Sequence, residues 1–177
     1  MKFKFNNGLD EYEISTAIPL AVVGGVGQGK TFYVKRLIST LAQERKVLIM
    51  NPCRWGEYNS FADKVVPVKL WLSDGKYRFP SESNVTLLDF DRQEESPERI
   101  CEVLERVKNI SKKEDVVLIV DTIGTANEAL YRELVQKVLQ VQSEKLFVVL
   151  TAQSANALDL QRNDVQVILT SSEEKCG

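Results

Sequence analysis

The sequence contains no histidine, few cysteines and no long apolar run, and each absence excludes a kind of protein. None of the 177 residues is histidine, which excludes the usual Ser-His-Asp and Cys-His nucleophilic sites and histidine-based zinc or iron sites. The three cysteines, Cys53, Cys101 and Cys176, form no CxxC pair, so neither a disulfide framework nor a zinc ribbon is expected. No uninterrupted apolar stretch approaches the about 20 residues that cross a bilayer. We therefore expect a cytoplasmic protein that does not insert into a membrane.

The length and the charge are those of an ordinary globular domain. Hydrophobic residues make up 44% of the chain and charged residues 27%, which is typical of a folded protein rather than a disordered one. We expect residues 1–177 to form a single domain. The net charge of −2 argues against a basic surface covering the whole domain, so any nucleic acid would contact a loop or a surface shared between subunits.

The apolar pattern predicts strands that alternate with helices, and therefore an α/β fold with a mostly parallel sheet and helices on both faces. Two short N-terminal strands are predicted at 2–5 and 12–14. Further strands are predicted at 19–23, 46–50, 85–90, 116–120, 146–150 and 165–169. Helices are predicted at 31–44, after Ser96, and at 127–142. Residues 51–82 are predicted to be irregular, with short β-like pieces at 65–68 and 77–79.

The strongest motif lies between the strand at 19–23 and the helix that follows it. It matches GxxxxGK[ST] in full and consists of Gly24, Gly25, Val26, Gly27, Gln28, Gly29, Lys30 and Thr31. Glycines let consecutive backbone N–H groups form an anion-binding nest at the positive end of a helix. Such a loop binds the phosphates of a nucleotide. Lys30 would reach the β- and γ-phosphates of ATP, and the Thr31 hydroxyl would ligate Mg²⁺.

A second motif ends in an acidic residue. Five consecutive apolar residues, 116–120, precede Asp121, which places a carboxylate at the carboxyl end of a buried strand, where open α/β sheets bind ligands. Asp121 would hold the water shell of the Mg²⁺ ion; its other interpretation is a helix N-cap. Thr122 follows, where many ATPases have the glutamate that polarises water. Glu128 is the nearest acidic residue downstream, but its predicted place is on the next helix.

A third polar group follows the strand at 146–150. This strand ends in Thr151-Ala152-Gln153, which predicts an amide at the same sheet edge as the glycine-rich loop. Gln153 would hydrogen-bond the γ-phosphate or the attacking water; alternatively it is a loop amide that contacts only solvent.

Together these motifs resemble the FtsK–HerA-type ATPases, which include conjugation coupling proteins and viral genome-packaging motors. Asn51-Pro52-Cys53-Arg54-Trp55-Gly56-Glu57-Tyr58 resembles their D-P-x-G-E-Y segment. The glycine-rich loop, the Asp121 strand, the Thr151–Ser154 strand end and residues 163–169 follow in that family's order. The resemblance covers about residues 15–172.

The resemblance implies a P-loop NTPase with a RecA-like ASCE three-layer sandwich, which assembles into a ring, usually a hexamer, and uses ATP and Mg²⁺ to move DNA. It implies that Lys30, Asp121 and Gln153 act together on the nucleotide. Two residues depart from the family pattern. Asn51 stands where the family usually has Asp, and Thr122 where it has the catalytic Glu, which makes slow hydrolysis an alternative. The chain lies close to the minimal core, which favours a viral or mobile-element origin.

Other residues are candidates for contacts with a neighbouring subunit or with DNA, although each could instead be an ordinary surface or core residue. Arg132 or Arg162 would be the arginine that contacts the nucleotide bound to the neighbouring subunit. Charges that would face DNA are Lys112, Lys113, Lys76 and Arg78. Aromatic side chains that would stack on bases, or else pack in the core or at a subunit interface, are Trp55, Tyr58 and Trp71.

Two further functions stay open at this point. Because Thr122 cannot act as a base at neutral pH, the chain could be a slow or non-catalytic nucleotide switch or an assembly factor. Compact small-molecule P-loop kinases have a similar length, but they usually carry an arginine-rich lid. After Gln153 this sequence has one arginine, Arg162.

Overall fold

A computed structural model describes residues 1–6, 11–51, 56–75, 79, 83–90, 96–121, 128–158 and 164–170. The strands are β1 (Lys2–Asn6), β2 (Glu11–Ser15), β3 (Leu20–Val23), β4 (Lys46–Met50), β5 (Lys64–Pro67), β6 (Val85–Asp89), β7 (Val116–Val120), β8 (Leu146–Ala152) and β9 (Gln166–Leu169). The helices are α1 (Lys30–Leu41), α2 (Val68–Ser73), α3 (Pro97–Ser111) and α4 (Glu128–Gln140), and a 3-10 turn spans Ala155–Leu158.

Seven strands form one parallel sheet in the order β5-β6-β4-β7-β8-β3-β9. Strand β8 lies between β3 and β7. Val120, the last residue of β7, pairs with Met50 of β4 and Leu150 of β8. The polar residues that follow these strands therefore meet at one edge of the sheet. The predicted N-terminal strands β1 and β2 form a separate antiparallel pair.

The sheet has a hydrophobic core on each face, which confirms the predicted α/β layers. Strands β3, β4, β7 and β8 are buried along their whole apolar runs, as expected for strands covered on both sides. On one face α1 and residues of the β1–β2 pair pack against the sheet. On the other face α2, α3 and α4 cover it. Among the described residues, no helix is both long and apolar enough to cross a membrane.

The predicted start of α3 is confirmed in detail. Ser96 has extended backbone angles, and its hydroxyl accepts a hydrogen bond from the backbone N–H of Arg99 at 3.1 Å. Pro97 occupies the first turn, where its missing N–H costs no helical hydrogen bond. The apolar stripe that begins at Ile100 is buried against the sheet.

The prediction that residues 51–82 are irregular is wrong over Val68–Ser73, which form α2. Val68 begins this helix and does not end the β-like piece predicted at 65–68. The helix buries Val68 and Trp71, one turn apart, so tertiary packing overrides the weak helix propensity of a six-residue segment. The guanidinium of Arg106 on α3 lies 4.7 Å from the Trp71 ring and donates to the Leu72 carbonyl oxygen at 3.0 Å. Residues 77 and 78 lie outside the described residues.

Candidate nucleotide-binding site

The glycine-rich loop joins the end of β3 to the start of α1, as its sequence predicts. Gly27 and Gly29 have φ angles of +76° and +80°, a left-handed region that residues with a Cβ adopt at a cost. Gly29 is the N-cap of α1, and no side chain caps the helix. The first N–H groups of α1 therefore have no capping side chain, which leaves the positive end of the helix available to an anion.

The Lys30 side chain is hydrogen-bonded to its own loop. Its ammonium group donates to the carbonyl oxygens of Gly24 at 2.7 Å and Gly25 at 2.8 Å. The Gln28 amide oxygen accepts a hydrogen bond from the Gly25 N–H. These contacts keep the loop folded around the lysine, and a phosphate would have to replace the carbonyl oxygens as the partner of Lys30.

Asp121 is the centre of a buried hydrogen-bond cluster. Its side chain is 1% exposed. Oδ2 accepts from the Tyr58 hydroxyl at 2.5 Å and lies 3.4 Å from the Thr31 hydroxyl oxygen. Oδ1 accepts from the Thr151 hydroxyl at 2.7 Å. The carboxylate is thereby held by groups from the segment after β4, from α1 and from β8.

Tyr58 is itself shaped by this environment. It is fully buried, and the ammonium group of Lys35 lies 5.7 Å from its ring centroid. Burial, followed by the negative charge of Asp121, raises the pKa of the Tyr58 hydroxyl well above its ordinary value. The phenol therefore remains protonated and serves as a hydrogen-bond donor to Asp121 over the physiological pH range.

A cleft of about 570 Å³ opens along the carboxyl edge of the sheet beside the glycine-rich loop. Its lining residues are Val26, Gly27, Gly29, Lys30, Thr31, Glu57, Tyr131, Thr151, Ala152 and Gln153. Gln153 is exposed here, directly after β8. Burial raises the pKa of the Tyr131 hydroxyl, which is also hydrogen-bonded by the backbone of Gln153. The structure thus brings Lys30, Thr31 and Gln153 to one cleft, with Asp121 beneath it in contact with Thr31 and Thr151.

A smaller cleft of about 220 Å³ adjoins the first at the ends of β4 and β6. Glu57 lines both clefts, and Asn51 and Asp89 line the smaller one. Asn51, which stands in place of the family's Asp, is 7% exposed, and its amide oxygen has no hydrogen-bond partner within the described part of the chain.

The remaining predicted residues divide into three groups. Tyr58 and Trp71 are buried in the core rather than presented to a ligand. Lys112 and Lys113 precede β7, at the sheet edge opposite the cleft, and Arg132 is an exposed residue of α4. Outside the described residues lie Trp55, Lys76, Arg78, Thr122 and Arg162, and the side chain of Glu128 is likewise not described.

Glu57 and Thr151 have no predicted role of their own in the site, and Tyr58 is predicted only as a stacking or packing aromatic. Tyr58 and Glu57 belong to the segment that resembles D-P-x-G-E-Y, yet nothing in their spacing shows that they reach Asp121 and Thr31, because the turn that carries them lies more than 60 residues from Asp121 in the chain. Thr151 belongs to the Thr-x-Gln strand end. Because β7 and β8 pair, Thr151 lies beside Asp121. A prediction that these two strands are neighbours would therefore have identified Thr151 as part of the site.

No protein-family model matches the chain, and no curated protein matches it in sequence. Among solved structures, it is similar to the genome packaging NTPase B204 from Sulfolobus turreted icosahedral virus 2, at 17% identity. The TM-score is 0.56 against B204 with AMP, over 90% of this chain and 79% of that one. With ATP-gammaS it is 0.54, and with AMPPCP 0.51, each over 80% of this chain and 67% of that one.

At this identity the similarity concerns the fold. It confirms the predicted parallel α/β sandwich, and B204 is a genome packaging NTPase, the kind of protein that the sequence resemblance named. The chain thus has a P-loop NTPase fold of the type found in the packaging NTPase B204.

Proposed function

We propose that this protein is an ATP-hydrolysing motor subunit that translocates or packages DNA and works as a homo-oligomeric ring, with a hexamer as the expected form. The observation that carries the proposal is the meeting of Lys30, Thr31, Asp121 and Gln153 at one sheet edge, in a fold shared with a genome packaging NTPase that was solved with bound nucleotides.

Each side chain has a task that its position permits. Lys30 would exchange its two carbonyl partners for the β- and γ-phosphate oxygens, where its charge opposes the charge that develops in phosphoryl transfer. The uncapped N–H groups at the start of α1, and those of Val26 and Gly27 in the loop, would bind the phosphates. Gln153, exposed in the cleft, would donate or accept a hydrogen bond at the γ-phosphate or at the attacking water.

The residues present fit a Mg²⁺ ion, because this metal prefers hard oxygen ligands and needs only one or two from the protein. The Thr31 hydroxyl would hold it directly, and Asp121, whose Oδ2 lies 3.4 Å from the Thr31 hydroxyl oxygen, would hold its water shell. When bound, the ion neutralises charge on the phosphates. Tyr58 and Thr151 orient the Asp121 carboxylate for this role.

The test is ATP turnover with and without DNA, together with native mass in the presence of ATP. We expect turnover that DNA stimulates and a mass that corresponds to a ring. Lys30→Ala should abolish nucleotide binding or turnover. Wild-type turnover in Lys30→Ala would mean that the glycine-rich loop is not the nucleotide site. Turnover that requires a small phosphate acceptor would instead indicate a kinase.

The second candidate is a nucleotide switch with negligible hydrolysis. The observation that favours it is Thr122, which stands beside Asp121 where a water-polarising glutamate is expected. A hydroxyl cannot serve as a base at neutral pH. Tight ATP binding in the absence of measurable turnover would support the switch and contradict the motor.

A further inference from the structure

Many ATPases polarise the attacking water with a glutamate directly after the metal-binding aspartate, and here that position is Thr122. If the proposed function holds, a carboxylate elsewhere in the site is a candidate for this role. Among the described residues that line the larger cleft, Glu57 is the acidic one.

Glu57 and Asp121 both lie close to the Thr31 hydroxyl. Its Oε2 accepts a hydrogen bond from Thr31 at 3.2 Å, and the same Thr31 hydroxyl lies 3.4 Å from Asp121 Oδ2. Glu57 also lines the cleft together with Lys30 and Gln153. Two carboxylates thus flank the Thr31 hydroxyl, which in the proposed function would hold the metal ion beside the phosphates.

The two carboxylates have different environments, and this difference separates their roles. Asp121 is buried and accepts hydrogen bonds from Tyr58 and Thr151. Glu57 is exposed to the cleft and, within the described part of the chain, has neither a salt bridge nor a hydrogen bond at Oε1. A carboxylate with an unbonded oxygen in the cleft can accept a hydrogen bond from the attacking water, whereas Asp121 is buried beneath the cleft.

The turn that carries Glu57 is anchored at the site. Gly56 begins it with φ of +63°, and the backbone N–H groups of Phe61 and Ala62 donate to the Tyr58 carbonyl oxygen at 2.9 and 3.1 Å. The next residue after Glu57 is the buried Tyr58, whose hydroxyl is bound to Asp121. The backbone of Glu57 is therefore tied through its neighbour to the carboxylate beneath the cleft, which limits how far Glu57 can move from it.

We propose that Glu57 is the catalytic carboxylate that activates water in this site, in place of a glutamate at position 122; this rests on the proposed ATPase function. Glu57 accepts a hydrogen bond from the water and takes its proton as the water oxygen bonds to the γ-phosphorus. The bond from that phosphorus to the β–γ bridging oxygen breaks, and its electron pair stays on ADP. The products are ADP and inorganic phosphate, and Glu57 returns the proton to solvent.

The experiment compares four variants of the full chain, Glu57→Gln, Glu57→Asp, Glu128→Gln and Glu44→Gln, with the wild type. Glu44 is an exposed residue after α1 and lines neither cleft, so it is the matched control. Steady-state ATP hydrolysis gives kcat and KM, a fluorescent ATP analogue gives the Kd, and a Mg²⁺ titration gives the metal concentration at half-maximal activity. A melting curve of each variant verifies that it is folded.

We expect Glu57→Gln to lower kcat by about 10²–10⁴-fold, the usual contribution of a general base. KM, Kd and the Mg²⁺ requirement should change by less than about threefold, because the amide keeps the shape of the side chain and removes its basicity. Glu57→Asp, which keeps the carboxylate but withdraws it by one methylene, should have an intermediate kcat. Glu44→Gln should match the wild type.

Two results would overturn the proposal. Turnover that survives Glu57→Gln, or that is lost in Glu128→Gln alone, would show that a residue other than Glu57 activates the water. A rise in the Mg²⁺ requirement or in Kd large enough to explain the lost activity would make Glu57 a metal ligand instead. Failure of the proposed function is distinguishable from both, since the wild type itself would then show no turnover.

Discussion

The hydrogen bond between Tyr58 and Asp121 can be tested by removing one oxygen atom. Tyr58→Phe keeps the ring that fills the core and deletes the hydroxyl that donates to Asp121 Oδ2 at 2.5 Å. Both side chains are almost completely buried, so water has little access to replace the lost donor. The variant therefore measures what this donor contributes to holding the carboxylate.

The expected loss follows from the burial and the charge. A hydrogen bond to a charged group contributes about 1.5–3 kcal/mol, and a buried acceptor left without a donor costs a comparable amount. For a domain of this size each kcal/mol shifts Tm by about 2–4 °C, so Tyr58→Phe should lower Tm by about 3–12 °C. The midpoint of urea unfolding should fall, while its slope stays unchanged, because the surface exposed on unfolding is the same.

The measurement is thermal and urea unfolding in EDTA, without nucleotide. Tyr33→Phe is the matched control, because Tyr33 is a half-buried tyrosine of α1 whose hydroxyl has no hydrogen-bond partner in the part of the chain that the structure describes. The control should melt within about 1 °C of the wild type, since no hydrogen bond is lost. If the Tm of Tyr58→Phe is likewise unchanged, the Tyr58 hydroxyl does not stabilise the Asp121 carboxylate.

Further substitutions test the loop and the strand end. A Cβ added at Gly24 would lie 1.9 Å from the Thr170 hydroxyl oxygen. Gly24→Ala should therefore destabilise the fold by about 1–3 kcal/mol. In urea unfolding, the double variant with Thr170→Ala should recover part of that loss. Gly29→Ala should cost about 1–2 kcal/mol, because its φ of +80° is strained for any residue with a Cβ; unchanged stability would contradict this. Gln153→Ala should lower kcat for ATP by about 100-fold at similar KM if the amide acts in the transition state; unchanged hydrolysis would remove that role.

The sequence was most informative where burial is simple. The five apolar residues before Asp121 and the apolar run before Thr151 predict strands covered on both faces, because no polar group interrupts them, and both strands are present. The glycine-rich loop was predictable because its backbone angles require particular residues at particular places. Helix α2 was missed, since six residues carry too little periodicity and Trp71 is buried only through its tertiary contacts.

The polar cluster was less accessible to sequence reasoning. That Asp121 follows a strand is readable from the sequence, but its partners come from three separate segments, and their distances depend on strand order. Tyr58 was interpreted as a base-stacking or packing aromatic, and its hydroxyl proved to be the feature that matters. No role is predicted for Glu57 from the sequence, because a turn residue lacks the periodicity from which the direction of its side chain could be inferred.

The contacts of Lys30 have a consequence for the thermodynamics of binding. With its ammonium group on the Gly24 and Gly25 carbonyl oxygens, the lysine bridges the two carbonyl groups and holds the loop in shape. A phosphate bound at the proposed site would exchange one set of oxygen partners for another, so only the difference between the two sets would contribute to the affinity. A loop already folded around Lys30 would need little ordering when a phosphate binds, which would keep the entropic penalty of association small.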